Sequence, residues 1–221
     1  MSGKARDVDA HWRNVVGVFC AVALLGAGLS ACASDPAPPV DFVPSLSASE
    51  SPEAQAGSAP SLAGVPVCPS SEADAAQAEG VPVLPAGKFE CLTEGPTVNL
   101  AGLRGVPTVV TIWASWCEPC RREMPFFVDL QERAGSTVRM LGIDVLDRAS
   151  PARAAVEDFG MNFPSVRDPK GITKQTVGYP GPPVSLFLDA DGVITYRKVG
   201  PVTTQQQLDD LVFEHLGVRV P

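Results

Sequence analysis

The sequence predicts an α/β domain built on a central mixed β-sheet that is flanked by helices. Two patterns carry this prediction. Apolar, β-branched runs alternate with amphipathic helical runs, and the chain closes with a strand, a turn, a strand and a helix. The domain is expected to span 65–221, which is an ordinary length for one folded unit.

The individual elements follow from local signals in chain order. A β-hairpin is expected first, since two short apolar segments flank a turn that contains Gly and Pro. Continuous apolar runs indicate central strands that are covered on both faces, and a 3.6-residue period indicates helices. The expected elements are the hairpin 89–100, a strand 106–113, a helix 121–134, a strand 138–145, a helix 151–159, a short helix 172–177, strands 184–188 and 193–199, and a helix 204–216.

Three residues predict details of these helices. Pro125 is expected to kink the first long helix near its start, because proline removes one helical hydrogen bond. Ser150 is the expected N-cap of the second helix, with Pro151 at its first position.

Cys117 and Cys120 form a CxxC motif between the first central strand and the first long helix. A helix N-terminus at this point stabilises a thiolate through its unpaired N–H groups and its dipole. Cys120 lies three residues on and shares the same helical face. One sulfur can then attack a disulfide while the other resolves the mixed disulfide.

A zinc site is the main alternative for a CxxC motif, and it needs two further ligands. The histidines are His11, near the start, and His215, near the end, and neither Cys68 nor Cys91 belongs to a second CxxC. The sequence therefore favours a redox pair, and no metal or other cofactor is expected.

Residues 1–31 predict a lipoprotein-type signal peptide. Basic residues precede an apolar run, 15–29, that is short for a membrane span. The run ends in Leu-Ser-Ala-Cys, which resembles a bacterial lipobox and would make Cys32 the lipidated N-terminus; an ordinary cleavage site is the alternative. Residues 32–64 are rich in Pro, Ser and Ala and are expected to be a disordered tether.

The six cysteines of the chain fit an exported protein. One lies in the signal segment and Cys32 would carry the lipid. In an oxidising compartment the other four are expected to form the redox pair and a structural disulfide between Cys68 and Cys91. Two unlinked buried thiols are the alternative for that second pair.

The formal net charge of −8, without any basic run, argues against nucleic-acid binding and against electrostatic docking to anionic lipid. The membrane contact is therefore expected to be the lipid alone, on the outer face of the bacterial cytoplasmic membrane. The protein is expected to be a monomer.

The segment around the CxxC motif resembles a known family. It reads WASWCEPCRREMP over 113–125, nearly the active-site signature of the TlpA, ResA and CcmG group of the thioredoxin superfamily. Leu103-Arg104-Gly105 and the strand–helix insert at 138–159 also match. The resemblance covers roughly 88–216 and implies a thioredoxin fold and thiol–disulfide exchange outside the cytoplasm.

The resemblance also implies roles for individual residues. Cys117 would be the nucleophile and Cys120 the resolving thiol. A cis-proline is expected opposite the CxxC motif at Pro183, with a rigid trans turn as the alternative. Pro182 before it lacks an N–H group, so substrate recognition is expected to use its carbonyl or a neighbouring group.

Glu118, between the two cysteines, is the candidate for proton handling, because a nearby carboxylate affects the ionisation of a thiol. The alternative is the ordinary preference of Glu for the first turn of a helix. Thr111 stands where thioredoxin itself carries a buried Asp, so no carboxylate is expected at that position.

The sequence thus favours an extracytoplasmic, lipid-anchored thiol–disulfide oxidoreductase. The resemblance implies a reductase of specific exported proteins, for example apocytochrome c, that receives electrons from a membrane thiol–disulfide partner. The alternatives are an oxidase of secreted proteins and a non-catalytic binding lipoprotein. A peroxidase is disfavoured by Ala114, where a Thr or Ser is expected, and a copper chaperone by the cysteine spacing.

Overall fold

The computed structural model of the chain describes residues 62–76 and 80–221. The predicted signal peptide, Cys32 and the tether up to 61 lie outside the described residues. The strands are β1 (Thr108–Trp113), β2 (Arg139–Val145), β3 (Ser165–Asp168), β4 (Val184–Leu188) and β5 (Ile194–Val199). The α-helices are α1 (Glu118–Ala134), α2 (Ala149–Asp158) and α3 (Gln205–Leu216).

The described strands form one mixed sheet in the order β3-β2-β1-β4-β5. β1 pairs with β2, and β2 with β3, in parallel, whereas β4 runs antiparallel to both β1 and β5. β1 and β4 are buried at every residue because both faces of the sheet are covered. The predicted α/β architecture with a mixed sheet is confirmed.

A separate core lies on each face of the sheet. The helical face packs Trp113 of β1 against side chains of α1, α2 and α3, such as Phe127, Val156 and Leu208. The other face packs strand residues against the segment that precedes β1, including Leu84. Both cysteines of the CxxC motif belong to the first core, and Cys68 and Cys91 belong to the second.

The helix α1 starts at Glu118, three residues earlier than the periodicity predicts. Cys117 is its N-cap, and its sulfur accepts a hydrogen bond from the backbone N–H of Cys120 at 3.2 Å. Pro119 fits the first turn, where a proline removes no helical hydrogen bond. The CxxC motif therefore forms the first turn of α1, and Pro125 lies inside the helix.

The strand β3 was missed by the sequence prediction. It has four residues, follows one proline closely and precedes another, and carries Arg167 near its middle. So short a run shows no readable alternation. It pairs nevertheless, because the parallel neighbour β2 offers it a ladder at Gly142–Val145.

The predicted hairpin is reduced to one antiparallel bridge. Phe89 and Val98 exchange two backbone hydrogen bonds of 2.9 and 2.8 Å, and Leu100–Gly102 is a 3₁₀ turn rather than strand. Leu92 instead donates its N–H to Ser165 of β3 at 2.8 Å. Pairing with the edge of the large sheet therefore replaces an extended hairpin.

Helix boundaries differ in two more places. The helix α2 begins at Ala149 after Arg148, so the predicted N-cap at Ser150 is wrong, as is Pro151 at the first position. The short predicted helix at 172–177 ends in a π-helical turn, Lys174–Gly178. The last helix agrees with the prediction, since Thr204 caps α3 by accepting a hydrogen bond from Gln207 N–H at 3.1 Å.

The segment before β1 is tied down covalently and by polar contacts. Cys68 and Cys91 are joined by a disulfide, with their Cα atoms 6.0 Å apart. The Asn99 side chain donates to three backbone carbonyls in the stretch 72–75, at 2.8 to 3.1 Å. Gly95 allows the close approach of this segment, since a Cβ there would lie 2.6 Å from the Cys68 nitrogen. Leu62 also packs against the first core.

None of the helices within 62–76 and 80–221 combines the length and the apolar character that crossing a membrane requires.

Candidate active site

Cys117 and Cys120 are joined by a disulfide where β1 ends and α1 begins, and their Cα atoms are 5.3 Å apart. Cys117 is 3% exposed and Cys120 is fully buried. An incoming thiolate can therefore reach only the first of the two sulfurs. When that sulfur is reduced, the N–H of Cys120 and the positive end of the α1 dipole favour its thiolate.

Trp116 forms an exposed rim beside Cys117. Its side chain is 57% exposed, and its indole N–H donates to the Leu146 carbonyl at 3.4 Å. Trp113, by contrast, is fully buried and packs edge-on against Phe159 at 5.9 Å between ring centroids. The two tryptophans thus divide into a core residue and a surface residue next to Cys117.

The peptide bond between Pro182 and Pro183 is cis. It immediately precedes β4, whose first residue, Val184, pairs with Ile112 near the end of β1. Because β4 runs antiparallel to β1, this register places Pro183 near the carboxyl end of β1, where the CxxC motif follows. The carbonyl of Pro183 accepts a hydrogen bond from Gly200 N–H at 3.0 Å.

The loop that leads into the cis bond is held by a buried hydrogen-bond chain. The Tyr179 hydroxyl lies 2.9 Å from Thr173 Oγ1, which donates to Asp168 at 2.6 Å. Burial raises the pKa of Tyr179 to about 12, so this hydroxyl keeps its proton at any physiological pH. The loop is therefore anchored to the end of β3.

Glu118 lies on the surface of the first turn of α1. Its carboxylate pairs with Arg122 at 3.2 Å, and the two side chains are 67% and 64% exposed. A solvent-exposed pair of this spacing contributes little to stability. The structure places Glu118 next to the reactive sulfur but in contact with water.

A second carboxylate, Glu123, is buried five residues further along α1, and the sequence analysis assigned no role to it. One oxygen accepts a hydrogen bond from Val202 N–H at 2.7 Å, while the other has no partner among the described residues. Burial raises the pKa of Glu123 to about 7, against the lowering effects of the Val202 hydrogen bond and the Lys198 charge. Glu123 therefore changes its charge in the neutral range.

The position of Glu123 could have been recognised from helical spacing. It shares one face of α1 with Cys120, Met124 and Phe127, all of which are buried. An acidic residue on the apolar face of a helix is a signal for a perturbed pKa and a functional role. Since Glu123 follows Cys120 by three residues, the two side chains are neighbours on the helix.

Glu123 also links the CxxC helix to the cis-proline. Its carboxylate accepts a hydrogen bond from Val202 N–H. Val202 lies two residues after Gly200, whose N–H donates to the Pro183 carbonyl.

The described residues hold no group of three or more His, Cys, Asp or Glu side chains arranged for a metal ion. The arrangement is that of a CxxC disulfide with a buried acid one helical turn beyond its inner cysteine.

Comparison with known proteins identifies relatives. The model of the Redoxin family matches residues 78–212, more than half of the chain. The chain is 33% identical over 140 residues to thiol:disulfide interchange protein DsbE of Yersinia pestis, covering 61% of this chain and 73% of that protein. It is 27% identical over 114 residues to thiol-disulfide oxidoreductase ResA of Bacillus anthracis, covering 51% and 66% respectively.

The fold also matches a solved structure. A crystal structure of a DsbF homologue from Corynebacterium diphtheriae superposes with a TM-score of 0.53 and 28% sequence identity, covering 62% of this chain and 90% of that one. The expected thioredoxin fold is confirmed by this likeness and by the sheet order. The chain therefore belongs to the Redoxin family, as a TlpA/ResA/CcmG-like thiol–disulfide oxidoreductase of the thioredoxin superfamily.

Proposed function

We propose that this oxidoreductase is anchored outside the cytoplasm by a lipid on Cys32 and reduces disulfides in specific exported proteins, such as apocytochrome c. The observation that carries the catalytic part is the CxxC disulfide at the N-terminus of α1, with Cys117 reaching solvent and Cys120 buried beneath it. The signal-like start of the chain and its cysteine count support export and anchoring.

The reaction runs in two exchanges. The Cys117 thiolate attacks one sulfur of the substrate disulfide, so that a mixed disulfide forms and the other substrate sulfur leaves as a thiolate. Cys120 loses its proton and attacks the Cys117 sulfur, which releases the second substrate thiolate and closes the CxxC disulfide. Two electrons have passed to the substrate, and a dithiol of a membrane partner returns them to the protein.

Residues around Cys117 supply the contact surface for the substrate. Trp116 offers an exposed aromatic face next to Cys117 in the chain, and the cis-proline loop precedes β4 at the same end of the sheet. Pro182 has no N–H group, so an extended substrate chain would pair with its carbonyl. Specificity would then depend on fewer backbone hydrogen bonds and more on the apolar rim.

One experiment in cells tests both the anchor and the direction of electron flow. Cells are acid-quenched, separated into membrane and soluble fractions, and treated with a maleimide that adds mass to free thiols. We expect wild-type protein in the membrane fraction with Cys117 and Cys120 reduced, and mass spectrometry should show acylated Cys32 as its N-terminal residue. A disulfide-bonded CxxC in wild-type cells would favour an oxidase, and a mature protein without acyl groups on Cys32 would contradict the lipid anchor.

Glu123 is the proton acceptor for Cys120 in this proposal. Glu123→Gln is expected to lower the rate of exchange at pH 8 by at least about tenfold, because an amide cannot accept the proton of the resolving thiol. At pH 5 the two rates should converge, since Glu123 is itself protonated there. The measurement is the rate of substrate disulfide reduction from pH 5 to pH 9.

The matched control is Glu118→Gln, which changes an exposed carboxylate in the same helix. If its pH profile shifts while that of Glu123→Gln does not, Glu118 is the proton carrier.

The pH dependence of stability supplies an independent readout of the Glu123 pKa. Because the pKa of Glu123 is raised from 4.5 to about 7 on folding, the free energy of unfolding falls as the pH rises through this window. Glu123→Gln should remove that contribution.

A further inference from the structure

The loop between β5 and α3 contacts two parts of the active site. Its first N–H group, from Gly200, donates to the Pro183 carbonyl at 3.0 Å. Two residues later, Val202 N–H donates to the carboxylate of Glu123 on α1 at 2.7 Å. The other oxygen of Glu123 has no hydrogen-bond partner among the described residues. The orientation of this buried carboxylate therefore depends on where the loop holds Val202.

Lys198, the last residue but one of β5, binds the same loop through its ammonium group. Its Nζ donates to the Gly200 carbonyl at 3.1 Å and to the Pro201 carbonyl at 2.7 Å. The Pro201 carbonyl and the Val202 N–H belong to one planar peptide group, so fixing the oxygen also fixes the direction of the N–H. A charged donor at the oxygen also polarises the group and strengthens the hydrogen bond at its other end. Lys198 therefore acts on Glu123 through a single peptide group.

The register of the sheet places Lys198 on the side of the helices. Tyr196, two residues before Lys198, lies on the same face of β5, because side chains alternate along a strand. Its register partner is Phe187 of β4, which belongs to the core on the helical face. The Tyr196 ring also stacks on His215 of α3, with the ring centroids 3.9 Å apart. The Lys198 side chain thus starts on the face that α1 and α3 cover.

Lys198 is also the charge that opposes the effect of burial on Glu123. Burial raises the pKa of Glu123 to about 7, and the Val202 hydrogen bond and the Lys198 charge work against this increase. The strands β1 and β4 contain no titratable side chain. Charged side chains on α1 and α3 form contacts of their own: Glu118 with Arg122, Arg133 with Asp129 and Asp209, and Glu214 beside His215. Loss of the ammonium should therefore move the ionisation of Glu123 to higher pH.

We propose that Lys198 is a positioning residue for the active site: its ammonium holds the 200–202 loop, which orients the carboxylate of Glu123 and the carbonyl of Pro183. This proposal rests on the proton-accepting role of Glu123 proposed above and adds the group that keeps the carboxylate in place. Without the ammonium, two consecutive carbonyls of the loop lose a charged donor, so the loop opens more readily and both of its active-site contacts weaken.

The structural test uses the oxidised full chain, in which the CxxC cysteines form a disulfide and do not titrate. The backbone amide of Val202 is followed by ¹⁵N NMR from pH 5 to pH 9, since its N–H is bound to Glu123. We expect a midpoint near pH 7 in the wild type. In Lys198→Met the midpoint should lie at least about 0.5 pH units higher, because the charge and the donor are both lost. No step in the wild type, or the same midpoint in Lys198→Met, would overturn the proposal.

Hydrogen exchange of the Gly200 amide tests the contact with Pro183. This N–H is protected by its hydrogen bond to the Pro183 carbonyl. We expect its exchange to be at least about tenfold faster in Lys198→Met than in the wild type, because the loop opens more often once the ammonium is lost. An unchanged rate of Gly200 exchange would contradict the claim that Lys198 positions Pro183.

Two matched variants separate positioning from altered packing. Lys198→Arg keeps the positive charge and the N–H donors, so it should keep both the Val202 midpoint and the Gly200 exchange rate near the wild-type values. Lys170→Met is the same substitution as Lys198→Met at an exposed lysine after β3, and it should change neither measurement. A midpoint shift in Lys198→Arg as large as that in Lys198→Met would assign the effect to packing and overturn the proposal.

The kinetic test measures substrate disulfide reduction by the reduced protein. Lys198→Met should be at least about twofold slower than the wild type at pH 7, because less Glu123 is ionised, and the two rates should converge at pH 9. Equal rates at pH 7 would contradict the positioning role. If Glu123→Gln keeps the wild-type pH profile, the proposed proton transfer fails, whereas the Val202 titration still decides on the role of Lys198.

Discussion

Cys117→Ser is expected to abolish thiol–disulfide exchange, with a rate loss of at least about 1,000-fold. The reason is that Cys117 presents the only sulfur of the CxxC pair that reaches solvent, and a hydroxyl does not form the attacking anion at neutral pH. The measurement is reduction of insulin disulfides with a small dithiol as the electron source. A variant that keeps the wild-type rate would favour a binding protein over an enzyme.

Cys120→Ser separates the roles of the two cysteines. Its reactive sulfur still attacks the substrate, but the buried partner that resolves the mixed disulfide is missing. We therefore expect a covalent adduct between Cys117 and the substrate to accumulate, visible by mass spectrometry and removed by excess dithiol. Adduct formation through Cys120 in the Cys117→Ser protein would reverse the assignment of nucleophile and resolving thiol.

Removal of the second disulfide is expected to cause a large loss of stability. The bridge between Cys68 and Cys91 closes a loop across 23 positions. Opening such a loop raises the entropy of the unfolded chain and thereby lowers the free energy of unfolding by about 3 kcal/mol. The double variant Cys68→Ser/Cys91→Ser should show this decrease in its free energy of unfolding, measured in urea. A decrease under about 1 kcal/mol would mean that contacts such as those of Asn99 hold the segment without the bridge.

Cys117→Ser/Cys120→Ser is the matched control, because its disulfide closes a loop of only three positions and restricts the unfolded chain far less. The two bridges also lie in different cores on opposite faces of the sheet. The Cys68→Ser/Cys91→Ser protein should therefore retain thiol–disulfide exchange under conditions in which it is folded. The two double variants thus separate stability from activity.

Most of the sheet could be predicted from local patterns because its central strands are long, apolar and covered on both faces. β3 could not, since it is short and its pairing is supplied by β2. The same reason explains the hairpin: Leu92 bonds to β3 instead of extending the pairing of Phe89 with Val98. Where the pairing of a segment at the edge of the sheet depends on a partner distant in sequence, local strand propensity predicts it poorly.

The acidic residues near the CxxC motif also differ between the prediction from sequence and the structure. Adjacency to the cysteines singled out Glu118, which the structure places in solvent with Arg122. Burial singles out Glu123 and Asp144, whose pKa values are raised because the surroundings exclude water. Sequence adjacency measures distance along the chain, whereas a pKa depends on solvation and on charges from other elements.

By itself, the sequence determined the family signature, the CxxC motif at a strand-to-helix junction and the central alternation of the fold. These features are local, because they depend on residue spacing within one strand or one helix. The tertiary structure alone decided which sulfur reaches solvent, that Glu123 meets Val202 and that Asp147 binds Ser115. Each of these depends on contacts between residues that are remote in sequence, and such contacts control the burial and the charge of a side chain.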